Sequence, residues 1–306
     1  MTIRFDGRVA IVTGAGNGLG RAHALGLAAR GARVVVNDFG GARDGSGGSL
    51  GPADAVVEEI RKAGGEAIAD GADVSKLDQV EAMVAKATAQ WGSVDLLVAN
   101  AGILRDKSFA KMEADDFRKV VDVHLIGTFN CCKAVWNGMR ERNYGRIVIT
   151  TSSSGLFGNF GQANYGAAKA AMAGLMNVLA EEGRKTNIRV NTISPTAATR
   201  MTDELLPPQA KELLKPEAIT PAVLYLLSED APTRTIMGAG AGSFAVIRIM
   251  ETEGINLPPA EWTPDAIAAH FAEIADPAKA KALEGAFQQT QKYVAQAMAR
   301  LGIANT

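Results

Sequence analysis

The sequence predicts a doubly wound α/β fold: a parallel sheet of seven strands with helices on both faces, followed by a C-terminal helical extension. Three observations predict it. Short Val- and Ile-rich runs recur, apolar at both alternations, as in strands buried on two faces. Amphipathic stretches of helical period separate them. A glycine-rich turn joins the first run to the first such stretch.

The strand candidates are 8–12, 33–37, 66–69, 94–99, 146–150, 189–193 and roughly 243–249. Helical patterns cover 21–30, 54–63, 77–90, 114–140, 163–186 and 217–228. This alternation makes βαβ units, whose right-handed crossovers place helices on both faces. Three stretches interrupt it. Residues 40–52 (GGARDGSGGSLGP) are glycine-rich where a short connection is usual. Residues 194–216 carry prolines at 195, 207, 208 and 216 and have the length of a lid or substrate loop. After about Gly254, LPPAEW opens a tail with two Ala-rich helical patterns, 264–274 and 277–298. We expect one domain over 1–254, and an extension over 255–306 packed on that domain or on a dimer partner.

Composition narrows the function classes. Of 306 residues, 47% are hydrophobic and 21% charged, which excludes a disordered chain. The 32 Lys+Arg against 33 Asp+Glu leave no basic excess, which argues against a nucleic-acid binder. Cys131 and Cys132 are adjacent and give no disulfide framework, as expected of a reducing compartment. The N-terminus has no signal-peptide pattern, and no apolar run reaches 18 residues, so no membrane span and a cytoplasmic location are expected. His23, His124 and His270 lack ligand spacing, and no metal site is expected.

The chemistry lies in the motifs. Thr13-Gly14-Ala15-Gly16-Asn17-Gly18-Leu19-Gly20 stands between the first strand and the first helix. Glycines there let backbone N–H groups approach a pyrophosphate at a helix N-terminus, which makes the fold Rossmann-type. Asp38 ends the second strand, where a carboxylate accepts from both adenosine ribose hydroxyls and repels a 2′-phosphate; NAD is the expected cofactor. The glycine-rich 40–52 loop follows, either as flexible linker or beside the adenosine, and its Arg43 is of the type that accommodates a 2′-phosphate. Asp73-Val74 follow the third strand, where Asp73 either bonds the adenine amino group or caps the next helix. Asn100-Ala101-Gly102 follow the fourth, small enough for close cofactor passage, with Asn100 able to tie strand ends together.

Ser152 follows the fifth strand, and Tyr165 and Lys169 stand one helical turn apart. A phenol is a poor base at neutral pH, and a neighbouring ammonium favours its phenolate. The pair suits proton exchange with an alcohol or carbonyl whose oxygen Ser152 holds.

Together these residues resemble the short-chain dehydrogenase/reductase family over about residues 7–250. The resemblance implies that Ser152, Tyr165 and Lys169 are the catalytic set and that Lys169 also holds the nicotinamide ribose. VVVNDFGG, AGILRDKSFA, VHLIGTF and YGRIVITTSSSGLFGNFGQANYGAAK are similar to one subgroup, the (3R)-hydroxyacyl-CoA dehydrogenase domains of peroxisomal multifunctional enzymes of type 2, also called 17β-hydroxysteroid dehydrogenase type 4. TPDAIAAHFAEI in the tail extends the likeness, in a form without the further domains. Two positions depart from the wider family. His124 replaces an asparagine that supports a water linked to the lysine; it either takes over that relay or is an ordinary core histidine. Pro195-Thr196 replaces Pro-Gly, before a loop in which Thr199 is expected to contact the nicotinamide carboxamide.

The resemblance implies NAD-dependent oxidation of a (3R)-hydroxyacyl-CoA. The alternatives are a 17β-hydroxysteroid or sterol side-chain acyl-CoA substrate, NADPH-driven ketoacyl reduction, and a catalytically silent nucleotide-binding scaffold. Phe157, Phe160, Leu205 and Leu206 are candidates for an apolar lining. A homodimer is expected through the long helices, whose apolar faces include Val120, Val123, Ile126, Met172 and Leu175.

Overall fold

The computed structural model describes residues 2–198 and 208–303. Thr199, Met201, Leu205 and Leu206 lie outside the described residues. The chain divides into two compact units, Met1–Val246 and Ile247–Thr306.

The first unit alternates strands and helices: β1 (Val9–Thr13), α1 (Gly18–Ala28), β2 (Arg33–Asn37), α2 (Gly51–Lys62), β3 (Ala67–Asp70), α3 (Leu77–Trp91) and β4 (Leu96–Ala99). Then come α4 (Ala114–Val121), α5 (Gly127–Glu141), β5 (Gly145–Thr150), α6 (Ser153–Phe157), α7 (Ala163–Gly183), β6 (Ile188–Thr196), α8 (Pro208–Leu213), α9 (Thr220–Leu227), β7 (Ile236–Gly240) and β8 (Ser243–Ile247). The strands form one sheet in the order β3-β2-β1-β4-β5-β6-β7-β8. Pairings from β3 to β7 are parallel. The order reverses between β1 and β4, which opens a crevice at their C-terminal ends.

The sheet has eight strands where the sequence predicts seven. β7 was not predicted, and the predicted last strand is β8. Ile236–Gly240 reads IMGAG, with one β-branched residue and two glycines, too little for the apolar signal of a buried strand. Ala241 and Gly242, both at positive φ, then turn the chain into β8.

Burial explains the layering. Val12, Val34, Val36, Leu96 and Val98 meet Leu27 of α1, Ile60 of α2 and Val223 of α9 in one apolar cluster. Met83 of α3, Met139 of α5, and Met172 and Met176 of α7 are also buried. Removing such side chains from water is what drives these helices onto the sheet. The predicted helix over 114–140 is interrupted by a π-helical turn, Asp122–Ile126, between α4 and α5.

The second unit holds α10 (Pro264–Ala269), α11 (Phe271–Ile274) and α12 (Ala286–Leu301). The predicted helix over 277–298 is a 3₁₀ turn at Pro277–Lys279 and then α12, because Lys281 pairs with Glu251 in an isolated antiparallel bridge. Lys292 on α12 donates to Glu251 Oε1 at 2.7 Å and to the Thr252 carbonyl at 2.6 Å. No helix among the described residues is long and apolar enough to cross a membrane.

Candidate active site

The glycine turn is shaped by contacts that no side chain could share. A Cβ on Gly20 would lie 2.2 Å from the Gly14 carbonyl oxygen, and one on Gly14 would lie 2.8 Å from Ala101 Cα. Gly14 and Gly18 hold positive φ. The turn is pinned to β4: Asn100 and Ala101 N–H donate to Thr13 Oγ1 at 3.0 and 3.1 Å, and Asn100 Nδ2 donates to the Thr13 and Gly14 carbonyls. Asn100 therefore ties the ends of β1 and β4. The first turn of α1 begins at Gly18, after an extended Asn17, so the helix N-terminus faces the crevice.

Asp38 follows β2. Its Oδ2 accepts from Gly16 N–H at 2.8 Å and its Oδ1 from Gly40 N–H at 2.7 Å. Asp73 Oδ1 accepts from Ser75 N–H and Oγ at 2.9 and 2.7 Å, a local turn that precedes α3 without capping it, since the α3 N-terminus at Lys76 has no side-chain cap.

One cavity of about 310 Å³ brings the predicted residues together. Gly14, Asn17, Gly18, Leu19 and Asp38 line one end, with Asp73 and Val74. Asn100, Ala101 and Gly102 line its middle. His124, Tyr165, Lys169 and Pro195 line the rest. Gly16, Gly20 and Ser152 are not on its wall. Gly16 and Gly20 stand behind the turn, and Ser152 caps α6, accepting from Ser154 N–H at 3.2 Å.

Tyr165 and Lys169 project from α7. Lys169 Nζ donates to the Thr150 carbonyl at 2.6 Å and lies 5.7 Å from the Tyr165 ring centre. Burial lowers the Lys169 ammonium to about 7. Burial raises the Tyr165 phenol; the Ser152 hydroxyl pulls it down and Asp106 pushes it further up. The expected lowering of the phenol by Lys169 is not found: the Ser152 hydroxyl alone pulls it down, and desolvation outweighs that. Two buried polar atoms at this wall have no hydrogen-bond partner among the described residues, His124 Nδ1 and Thr150 Oγ1. The glycine cradle, the helix N-terminus, Asp38 and these polar atoms fit a dinucleotide.

Several wall residues carry no recognised motif. Phe39, Gly41, Ala42, Arg43, Gly45 and Gly47 come from the glycine-rich loop, and Lys119 and Val123 from the segment leading to His124. Val123, expected on the apolar face of a dimer helix, lines the cavity, one helical turn from Lys119. No group of three or more metal-ligating side chains occurs among the described residues.

Fold, crevice and glycine turn are those of a nucleotide-binding α/β protein. The short chain dehydrogenase family model matches residues 8–210, and the chain belongs to that family. That family is one of oxidoreductases, the short-chain dehydrogenases/reductases. Peroxisomal multifunctional enzyme type 2 of Mus musculus is 46% identical over 277 residues, covering 90% of this chain and 37% of that protein. A short chain dehydrogenase from Mycobacterium avium superposes with a TM-score of 0.77 at 40% identity, covering 90% of this chain and 97% of its own. A 7α-hydroxysteroid dehydrogenase complexed with NADH and 7-oxoglycochenodeoxycholic acid superposes with a TM-score of 0.71 at 31% identity, covering 78% of this chain and 95% of its own. The chain spans between 31% and 61% of the length of the multifunctional relatives it matches.

Proposed function

We propose that this chain oxidises a (3R)-hydroxyacyl-CoA to the 3-ketoacyl-CoA with NAD, and that Ser152, Tyr165 and Lys169 carry the reaction. The observation that carries the reading is the placement of Tyr165 and Lys169 on the wall of a cavity whose far end holds Asp38. The similarity to multifunctional enzyme type 2 supports the substrate class. Gly14, Asn17, Gly18 and Leu19 would hold the pyrophosphate, Asp38 the adenosine ribose, and Lys169 the nicotinamide ribose. When bound, the nicotinamide supplies the hydride acceptor.

Ser152 orients the substrate hydroxyl. Tyr165 Oη takes its proton. Lys169 Nζ stands 5.7 Å from the Tyr165 ring centre, where in its charged form it would favour the phenolate. Asp38 supports NAD over NADP, because a carboxylate fixed by two backbone N–H groups repels a 2′-phosphate. A second reading is a steroid or sterol side-chain acyl-CoA; Phe157 and Phe160, expected as its apolar lining, are exposed and not among the residues that line the cavity. Two buried free thiols, Cys131 and Cys132, accord with a cytoplasmic, reducing location.

The reading includes a homodimer. Val120 and Met172, named among the apolar faces expected at the interface, are fully buried within the chain and belong to its core. Phe117, Ile126, Phe129 and Val178 are exposed and support an interface on α4, α5 and α7.

The test is a substrate panel with NAD and NADP. Turnover of a (3R)-hydroxyacyl-CoA with NAD supports the reading. Turnover of a 17β-hydroxysteroid alone promotes the second one, and a preference for NADP overturns the role of Asp38.

A further inference from the structure

The loop between β2 and α2 is folded, not a slack linker. Its base is closed by Ser49 N–H donating to the Phe39 carbonyl at 3.0 Å. Gly40 at positive φ lies so close to Ser49 that a Cβ would overlap the Ser49 carbonyl oxygen. Its tip is a turn, with Ala42 N–H donating to the Ser46 carbonyl and Gly45 N–H to the Ala42 carbonyl. A loop closed at its base and bonded at its tip is a compact element of its own.

The tip is tied to the opposite wall of the cavity. Leu104 N–H donates to the Arg43 carbonyl at 3.0 Å, and Arg105 Nε donates to the Asp44 carbonyl at 3.0 Å. A Cβ on Gly45, which has positive φ, would lie 3.2 Å from Ile103 Cδ1, so the backbone of the tip rests against that wall. Arg43 and Gly45 on one side, and Ile103 and Lys119 on the other, all line the cavity. The loop therefore bridges the end that Asp38 marks.

We propose that this loop is a strap latched by Arg105, and that the latch governs exchange of the nicotinamide cofactor. The inference rests on the assignment of the Asp38 end to the adenosine. Residues 41–50 are exposed or half-buried throughout, and such an element opens at lower free-energy cost than the buried core. Release of the dinucleotide waits on that opening, as lid opening limits many enzymes. Arg105 is a positioning residue here, since its guanidinium holds the strap and not the reacting atoms.

The experiment is stopped-flow displacement of NADH from the full chain, read by its fluorescence, with no substrate present. Arg105→Ala removes the guanidinium, and Gly45→Ala strains the tip at a positive-φ position and crowds Ile103. Each is expected to raise the NADH off-rate about tenfold, the scale of one hydrogen bond from a charged donor. Arg105→Lys, which keeps a donor, is expected to restore part of the difference. Lys107→Ala removes a 2.6 Å partner of Asp116, to which Arg105 also points at 3.5 Å, and leaves the strap untouched. It should release NADH like the parent, so equal acceleration there would assign the effect to the Asp116 cluster and overturn the latch. Off-rates within about twofold of the parent in both Arg105→Ala and Gly45→Ala would overturn the latch alone. Failure of the parent to bind NADH would overturn the cofactor reading and the latch with it.

Discussion

The rings of His124 and Tyr165 meet edge to face, centres 5.1 Å apart and planes at 89°. The π-helical turn sets His124 at this place, and Gly102 makes room, since a Cβ there would fall 2.1 Å from His124 Cε1. His124 Nε2 lies 2.8 Å from the Ile103 carbonyl and 3.1 Å from the Ile103 N–H. The imidazole thus joins the proposed proton acceptor to the segment that carries the strap's anchor.

Burial, and then the charge of Lys169, lower the His124 pKa to about 3. The imidazole is neutral at physiological pH. His124→Phe keeps an aromatic edge on Tyr165 but leaves the Ile103 backbone groups unpaired. We expect a loss of about 1–3 kcal/mol in urea unfolding and a kcat lower by roughly tenfold. The kcat–pH profile between pH 5 and 8 should keep its shape; disappearance of an ionisation near 6.5 would show that His124 titrates during turnover.

Asp38 ties Gly16 and Gly40 together at the proposed adenosine end. Asp38→Ala should weaken NADH binding by roughly tenfold or more and shift the NADPH-to-NADH affinity ratio toward NADPH. Fluorescence titration with both reduced cofactors checks this, and an unchanged ratio would remove Asp38 from cofactor selection.

Gly20 is a steric prediction. A Cβ would meet backbone at 2.2 Å, which a rotamer change cannot relieve. Gly20→Ala should lose NADH binding and cost about 1–3 kcal/mol of stability. Isothermal titration and urea unfolding read the two effects, and parent-like binding would contradict the close packing of the turn on Asn100.

The cofactor half was legible because each motif there follows from backbone chemistry: glycines at positive φ, an acid at a strand end, Asn100 at a junction. The Tyr165/Lys169 pair was legible from helical spacing. β7 was not, because Gly238 and Gly240 dilute its apolar pattern. The π turn was not, because it adds one residue to a helical ladder without changing the sequence signal. The strap's bridging of the cavity was invisible as well, since it depends on tertiary bonds from Leu104 and Arg105 to carbonyls that any residue carries.

His23 makes a stability prediction. It is fully buried, with Nδ1 3.0 Å from Thr220 Oγ1, and burial lowers its pKa to about 3 from the usual 6.5. The unfolded chain binds this proton more readily than the folded one, so stability rises with pH across that window. The contribution is complete above pH 6.5 and is lost as pH falls toward 3. His124 acts in the same direction. His23→Gln should flatten the decline of Tm between pH 6.5 and 4.5, read by differential scanning calorimetry; an equally steep decline would place the acid sensitivity elsewhere.

The most direct test of the account follows absorbance at 340 nm with NAD and matched (3R)- and (3S)-hydroxyacyl-CoA, for the parent chain and for Tyr165→Phe. The account predicts (3R)-selective NADH formation by the parent, and a rate lower by roughly 10²–10⁴-fold in the variant, with NADH still bound. Comparable turnover by Tyr165→Phe, or a parent that binds NADH and oxidises neither isomer, would contradict it.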